Sequence, residues 1–127
     1  MKSLKYWILV YIYCFIIFIY SATPKPPEPF IIVHATDWIK HIAEYLILSF
    51  LVFFAFKNSK SFEDYPALYT IIFVVLFAVS DEIHQLFVPG RYFSFLDILA
   101  DSFASILFFS LKTINNSKVA TKQKIYK

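Results

Sequence analysis

Four long apolar segments dominate this chain, and in three of them the ionisable residues are confined to one end. A helix crossing the hydrocarbon core of a bilayer needs about 20 predominantly apolar residues. The segments at about 5–20, 38–56, 66–88 and 94–111 approach that length, and only the first is uninterrupted by charge. β-Branched and aromatic residues are abundant, which in water would favour strands. In lipid every backbone group must be satisfied within its own element, so segments of this length favour helices. Gly90 is the only glycine among 127 residues, which leaves too few tight turns for a barrel or sandwich. With 59% of residues hydrophobic, a soluble chain this short would have little core in which to hide the excess. The sequence therefore predicts an all-α membrane protein, a single domain over 1–127 built as a bundle of four transmembrane helices.

The connections are short. Residues 21–36 contain Pro24, Pro26, Pro27 and Pro29 and read as an extended link. Residues 57–65 form a polar turn, Pro66 suits a first helical turn, and Pro89-Gly90-Arg91 marks a tight turn. Residues 112–127 read as a basic, frayed tail. Nine of the twelve Lys and Arg residues precede the first segment, lie between the second and third, or follow the fourth; Lys25, Lys40 and Arg91 fall on the other side. This bias predicts both termini in the cytoplasm, in a multi-pass membrane protein. Attraction to anionic lipid accounts for the C-terminal lysines, and no nucleic-acid partner is expected. Residues 1–22 also resemble a signal peptide, although Tyr20 fits the cleavage region poorly. A retained first helix, read as a simple span, is the expectation; cleavage would leave three spans. Cys14 lies inside an apolar run and excludes an intrachain disulfide, being the only cysteine.

The polar residues of the segments fall at one face of the membrane, the external one in this orientation. Asp37, Lys40, His41 and Glu44 begin the second segment, Asp81, Glu82, His84 and Gln85 end the third, and Ser94, Asp97 and Asp101 begin the fourth, with Arg91 in the turn. Helical spacing puts Asp37, His41, Glu44 and Leu48 on one face, Asp81, His84 and Gln85 on another, and Ser94, Asp97, Asp101 and Ser105 on a third. Glu82 points away from its neighbours and reads as solvated. Charged groups inside a bilayer are costly and pair with one another or line wet cavities. Six carboxylates here face two fixed cations, Lys40 and Arg91, with two histidines. Either some carboxyls carry protons, or a cation binds, or some point to water.

Several roles fit these residues. Asp81, His84, Arg91 and Asp97 are candidates for acid–base catalysis and anion stabilisation. Asp37, Lys40, His41, Glu44, Glu82, Gln85, Ser94 and Asp101 are candidates for ligand binding. His41, His84, Asp81 and Glu44 are an alternative metal set, though their spacing matches no soluble zinc motif. Asp37 and Asp97 read equally well as residues favoured by the positive end of a helix. The whole network could also be interhelical glue, and Ala100 and Ala104 a close packing seam. Tyr6, Trp7, Tyr65, Tyr69 and Tyr92 suit interfacial belts.

The run Asp81-Glu82-Ile83-His84-Gln85-Leu86-Phe87-Val88-Pro89-Gly90-Arg91, followed by Ser94 and Asp97, closely resembles the signature of the VanZ-like family. Asp37, His41, Tyr45 and Leu48 match an earlier motif of that family, and the resemblance covers about residues 37–105. Asp101 and Ala104 depart from it, standing where the family usually has Asn and Gly, as does Trp38 at a usual Lys. The resemblance implies a small bacterial membrane protein with a cell-envelope role, since the founding member is associated with teicoplanin resistance. It supplies no reaction. Three functions stay open: a protein that binds membrane lipid, a lipid-linked envelope precursor or glycopeptide; a hydrolase or transferase on a lipid-linked substrate; and an accessory protein whose polar network only fixes helix packing.

Overall fold

A computed structural model describes the main chain at residues 2–24 and 30–125 and the side chains at 3–24 and 38–110. It contains four helices, α1 (Lys2–Ser21), α2 (Phe30–Lys57), α3 (Pro66–Gln85) and α4 (Phe95–Ile125), and no strand among the described residues. Three stretches, Ser3–Ser21, Trp38–Lys57 and Pro66–Gln85, are long and apolar enough to cross a membrane. The expected fourth span is not one of them. Side chains of α4 are described only to residue 110, and that part carries Asp97 and Asp101 in its first two turns.

Each boundary has a local cause. Pro66 occupies the first turn of α3, where its missing N–H leaves no bond unmade. The helix gives way at residues 86–88 to tighter turns, with Leu86, Phe87 and Val88 donating to carbonyls three residues back. Arg91 N–H then donates to Val88 C=O at 3.1 Å across Pro89-Gly90, and Gly90 has φ 76°. Pro at the second position and a positive-φ Gly at the third make a type II turn, the one place where this chain requires glycine. Two expectations are corrected. The link at 21–36 is shorter than read, because α2 already starts at Phe30, after the last proline of the cluster. The tail is helical to Ile125, because lysine is a good helix former and hydropathy marks the end of a span, not of a helix.

Helix α2 is the centre of the bundle, packed against α1, α3 and α4, while α3 packs on α4 and meets α1 more briefly. The core is a column of Val10, Ile17, Tyr45, Leu48, Val52, Ala55, Val74, Ala78 and Ala104. Ala78 and Ala104 are fully buried, so α3 and α4 approach their neighbours closely. The outward faces stay apolar: Ile8, Phe15, Ile47, Phe50, Leu68, Leu76, Leu99 and Ile106 are all exposed. That inversion of the soluble pattern is what a lipid solvent demands.

Candidate functional site

The four helices bring their polar residues together at one end. There, α3 presents two polar sides rather than one. Its buried residues are Thr70, Val74, Ala78, Asp81, Glu82 and Gln85. Steps of four from Thr70 through Val74 and Ala78 lead to Glu82; the step from Ala78 to Asp81 and Gln85 lies alongside. One side meets α1, and the other meets α4.

On the α1 side, Asp81 is the acceptor at the centre. Ser21 Oγ–H donates to Asp81 Oδ1 at 2.5 Å and Gln85 Nε2 donates to Oδ2 at 3.0 Å. Ser21 Oγ also lies 3.3 Å from His84 Nδ1. The His84 ring stacks on Phe18, with centroids 4.0 Å apart and planes 20° from parallel. Arg91 reaches back from the turn to the end of α1, its Nε donating to Thr23 C=O and its Nη2 to Tyr20 C=O, both at 3.3 Å. Tyr20 C=O also accepts from Thr23 N–H at 3.2 Å, so the guanidinium adds a second donor there and complements the negative end of the helix dipole.

On the α4 side, the turn ends in a cap. Ser94 Oγ accepts from Asp97 N–H at 3.2 Å, while Ser94 N–H donates to Glu82 Oε2 at 2.7 Å. In a usual capping box the residue three positions into the helix would return that second bond. Glu82 takes it instead, and the Asp97 carboxylate turns toward α2. There His41 Nδ1 bonds Asp101 Oδ1 at 3.0 Å, and His41 Nε2 lies 4.0 Å from Asp97 Oδ2. Asp101 and Glu82 are both 0% exposed.

Between α1, α2, α3 and the turn lies a cleft of about 60 Å³. A buried water needs roughly 10–15 Å³ by this measure, so the cleft holds a few waters or a small polar group. Ser21, Lys40, His41, Glu44, Asp81, Gln85 and Arg91 line it, with Ile17 and Tyr20. Lys40 is exposed at the rim. Lys40 and Arg91 supply positive charge there, and hydroxyl, amide, imidazole and carboxylate groups line the wall. An anionic or zwitterionic group of a few atoms meets complementary chemistry.

The expected residues thus separate into two neighbouring sets, Asp81–His84–Gln85–Arg91 and His41–Glu82–Ser94–Asp97–Asp101, with Lys40 and Glu44 beside the cleft that His41 shares. The side chain of Asp37 lies outside the described residues. Two readings change. Glu82 is not solvated but wholly buried, because α3 has neighbours on both sides and a single-faced helical wheel does not apply. Helix α1 is more than a span, since Ser21 and Phe18 complete the surroundings of Asp81 and His84. The four residues considered as a metal set are also split, with His84 and Asp81 turned to α1. The donors that do converge are His41, Glu82 and Asp97. A serine at the end of a long apolar run carries little signal; its one clue was its place at the same end of the bundle as the other polar residues.

A family model described as VanZ/LLP1 matches residues 5–115. No curated protein and no solved structure matches the chain.

Proposed function

The chain belongs to the VanZ/LLP1 family, and on that premise we propose that it is a multi-pass protein of the bacterial cytoplasmic membrane that binds a polar head group in its cleft. In this reading α4 is the fourth span, both termini are cytoplasmic, and α1 is retained because Ser21 belongs to the site. The cleft then opens at the external face, where envelope lipids and lipid-linked precursors present their phosphates. The observation that carries the reading is the make-up of the cleft: Lys40 and Arg91 at a wall that also holds Ser21, His41, Asp81 and Gln85. Purely structural glue would need no opening. A reporter fused after Lys127 should be active only in the cytoplasm. Replacing His84 or Arg91 by Ala should abolish glycopeptide tolerance while the amount of protein in the membrane stays normal. Full tolerance in both variants would refute a binding role in the envelope.

A second reading has its own support. Ser21 Oγ is held between Asp81 and His84, an arrangement in which a hydroxyl has a base at hand. In a membrane-embedded hydrolase or transferase on a lipid-linked substrate, Asp81 or His84 would take the proton, with Arg91 or Lys40 stabilising the developing anion. Ser21→Ala should then abolish turnover while leaving lipid binding within about twofold. Lipid bound by the wild type but never turned over would leave the binding reading alone.

A further inference from the structure

The α4 side of the polar end holds more acceptors than donors. Glu82 Oε1 and Asp101 Oδ2 are buried oxygens with no hydrogen-bond partner among the described residues, on side chains that are 0% exposed. They stand beside Asp97, only partly exposed, so three carboxylates share their surroundings with one imidazole. Among the described residues such a cluster sets three carboxylates against one imidazole, and buried charge is stable only when paired, neutralised or bound to a cation.

We propose that His41, Glu82 and Asp97 form a site for one divalent transition-metal ion of the Zn²⁺ or Mn²⁺ class, with Asp101 as the residue that orients His41. One donor atom from each of the three lies within 4.8 Å of the others. Ligands bonded at about 2.0–2.2 Å to a tetrahedral ion stand about 3.3–3.6 Å apart. Small side-chain rotations close that difference. The Nδ1 of His41 is engaged by Asp101, which leaves Nε2 on the side of Asp97. A carboxylate behind a ligating imidazole fixes its tautomer and raises its basicity. Glu82 Oε2 is held by the Ser94 N–H, so Oε1 is the oxygen turned free for an ion. The single nitrogen donor sets the class: imidazole with carboxylates suits first-row ions, whereas Mg²⁺ and Ca²⁺ prefer oxygen throughout. The ligands come from α2, α3 and α4, so the ion would join three helices beside the cleft that His41 also lines. The inference goes beyond the head-group reading and stands without it.

The full chain in detergent, stripped with chelator and titrated with Zn²⁺ or Mn²⁺, tests this by elemental analysis of bound metal. The wild type should take up about one ion per chain, and its unfolding temperature should rise. Asp97→Asn, at a partly exposed position that tolerates change, should bind at least tenfold more weakly and lose the rise in unfolding temperature. Asp101→Asn should weaken binding by about 10–100-fold, as expected for loss of a group behind the ligand. Glu63→Gln, an exposed carboxylate at the far end of the bundle, should bind as the wild type does. No uptake by the wild type, or uptake by Asp97→Asn with unchanged affinity, overturns the site.

Discussion

At one end of the bundle Trp7, Phe56, Phe62, Tyr69 and Phe73 pack ring against ring; at the other, Ser21 with Asp81 and His41 with Asp101 are hydrogen-bonded pairs, with Glu82 and Asp97 beside the second. The aromatic end is nearly self-sufficient. Trp7 stands edge-on to Phe56 at 5.0 Å and 89°, and Phe62 to Tyr69 at 4.9 Å and 81°. Trp7 Nε1 donates to Ser59 Oγ at 3.1 Å, and Ser59 in turn donates to Ala55 C=O. The polar half is not self-sufficient. Tyr45 OH, Glu82 Oε1, Asp101 Oδ2 and Ser105 Oγ are buried without a partner among the described residues, and none of them belongs to the aromatic cluster. Edge-to-face rings add association without buried polarity. Unmet buried polar groups cost stability unless water, a proton, a ligand or an ion completes the set. The difference teaches that one end closes its contacts internally and the other leaves some of them open.

The sharpest way to break that contrast is His41→Leu. It leaves the fully buried Asp101 carboxylate without its imidazole, and removing one partner of a buried charged pair costs about 3–5 kcal/mol. The double variant His41→Leu with Asp101→Leu should recover most of that loss, since apolar replacements of a buried pair are often neutral. Unfolding in detergent with increasing denaturant measures both. Recovery would mean that the pair is dispensable for folding and kept for function; no recovery would mean that the polar end is structural after all.

Phe56→Ala should cost less, about 2 kcal/mol. The cavity part of the loss persists, but the transfer part shrinks when the unfolded reference is itself in lipid. Head-group binding per folded molecule should stay at the wild-type level. A loss of binding that exceeds the loss of fold would show that the two ends are coupled.

Removing the Trp7–Ser59 hydrogen bond should have the smallest effect. A double-mutant cycle with Trp7→Phe and Ser59→Ala should give a coupling of about 0.6 kcal/mol, the usual worth of a side-chain bond between membrane helices. A coupling several times larger would make the aromatic end, too, dependent on polar contacts.

Much of this was legible in the residues. The apolar runs located α1 and α3, Pro66 marked the start of α3, and Pro89-Gly90-Arg91 marked the turn. The helical period put His41 and Asp101 on polar stripes at the same end of the bundle, and their pairing came only with the structure. What was not legible has physical reasons. The start of α2 at Phe30 depends on where a proline cluster stops, and composition alone made the whole of 21–36 look extended. The burial of Glu82 depends on α3 having neighbours on two sides, although the ladder of Thr70, Val74 and Ala78 below it pointed the same way. The part played by Ser21 depends on α1 lying against α3, which no period in α1 announces.

The central claim is that the polar end binds rather than merely packs, and Lys40 separates the two. It lines the cleft, is exposed at its rim and lies outside the buried core. The most direct measurement compares the phosphate-bearing lipids that co-purify in detergent with the wild type and with Lys40→Ala, at equal folded protein. The account predicts at least a tenfold drop in retained lipid at an unchanged unfolding temperature. Equal retention, or a drop that only follows a lower unfolding temperature, would contradict it.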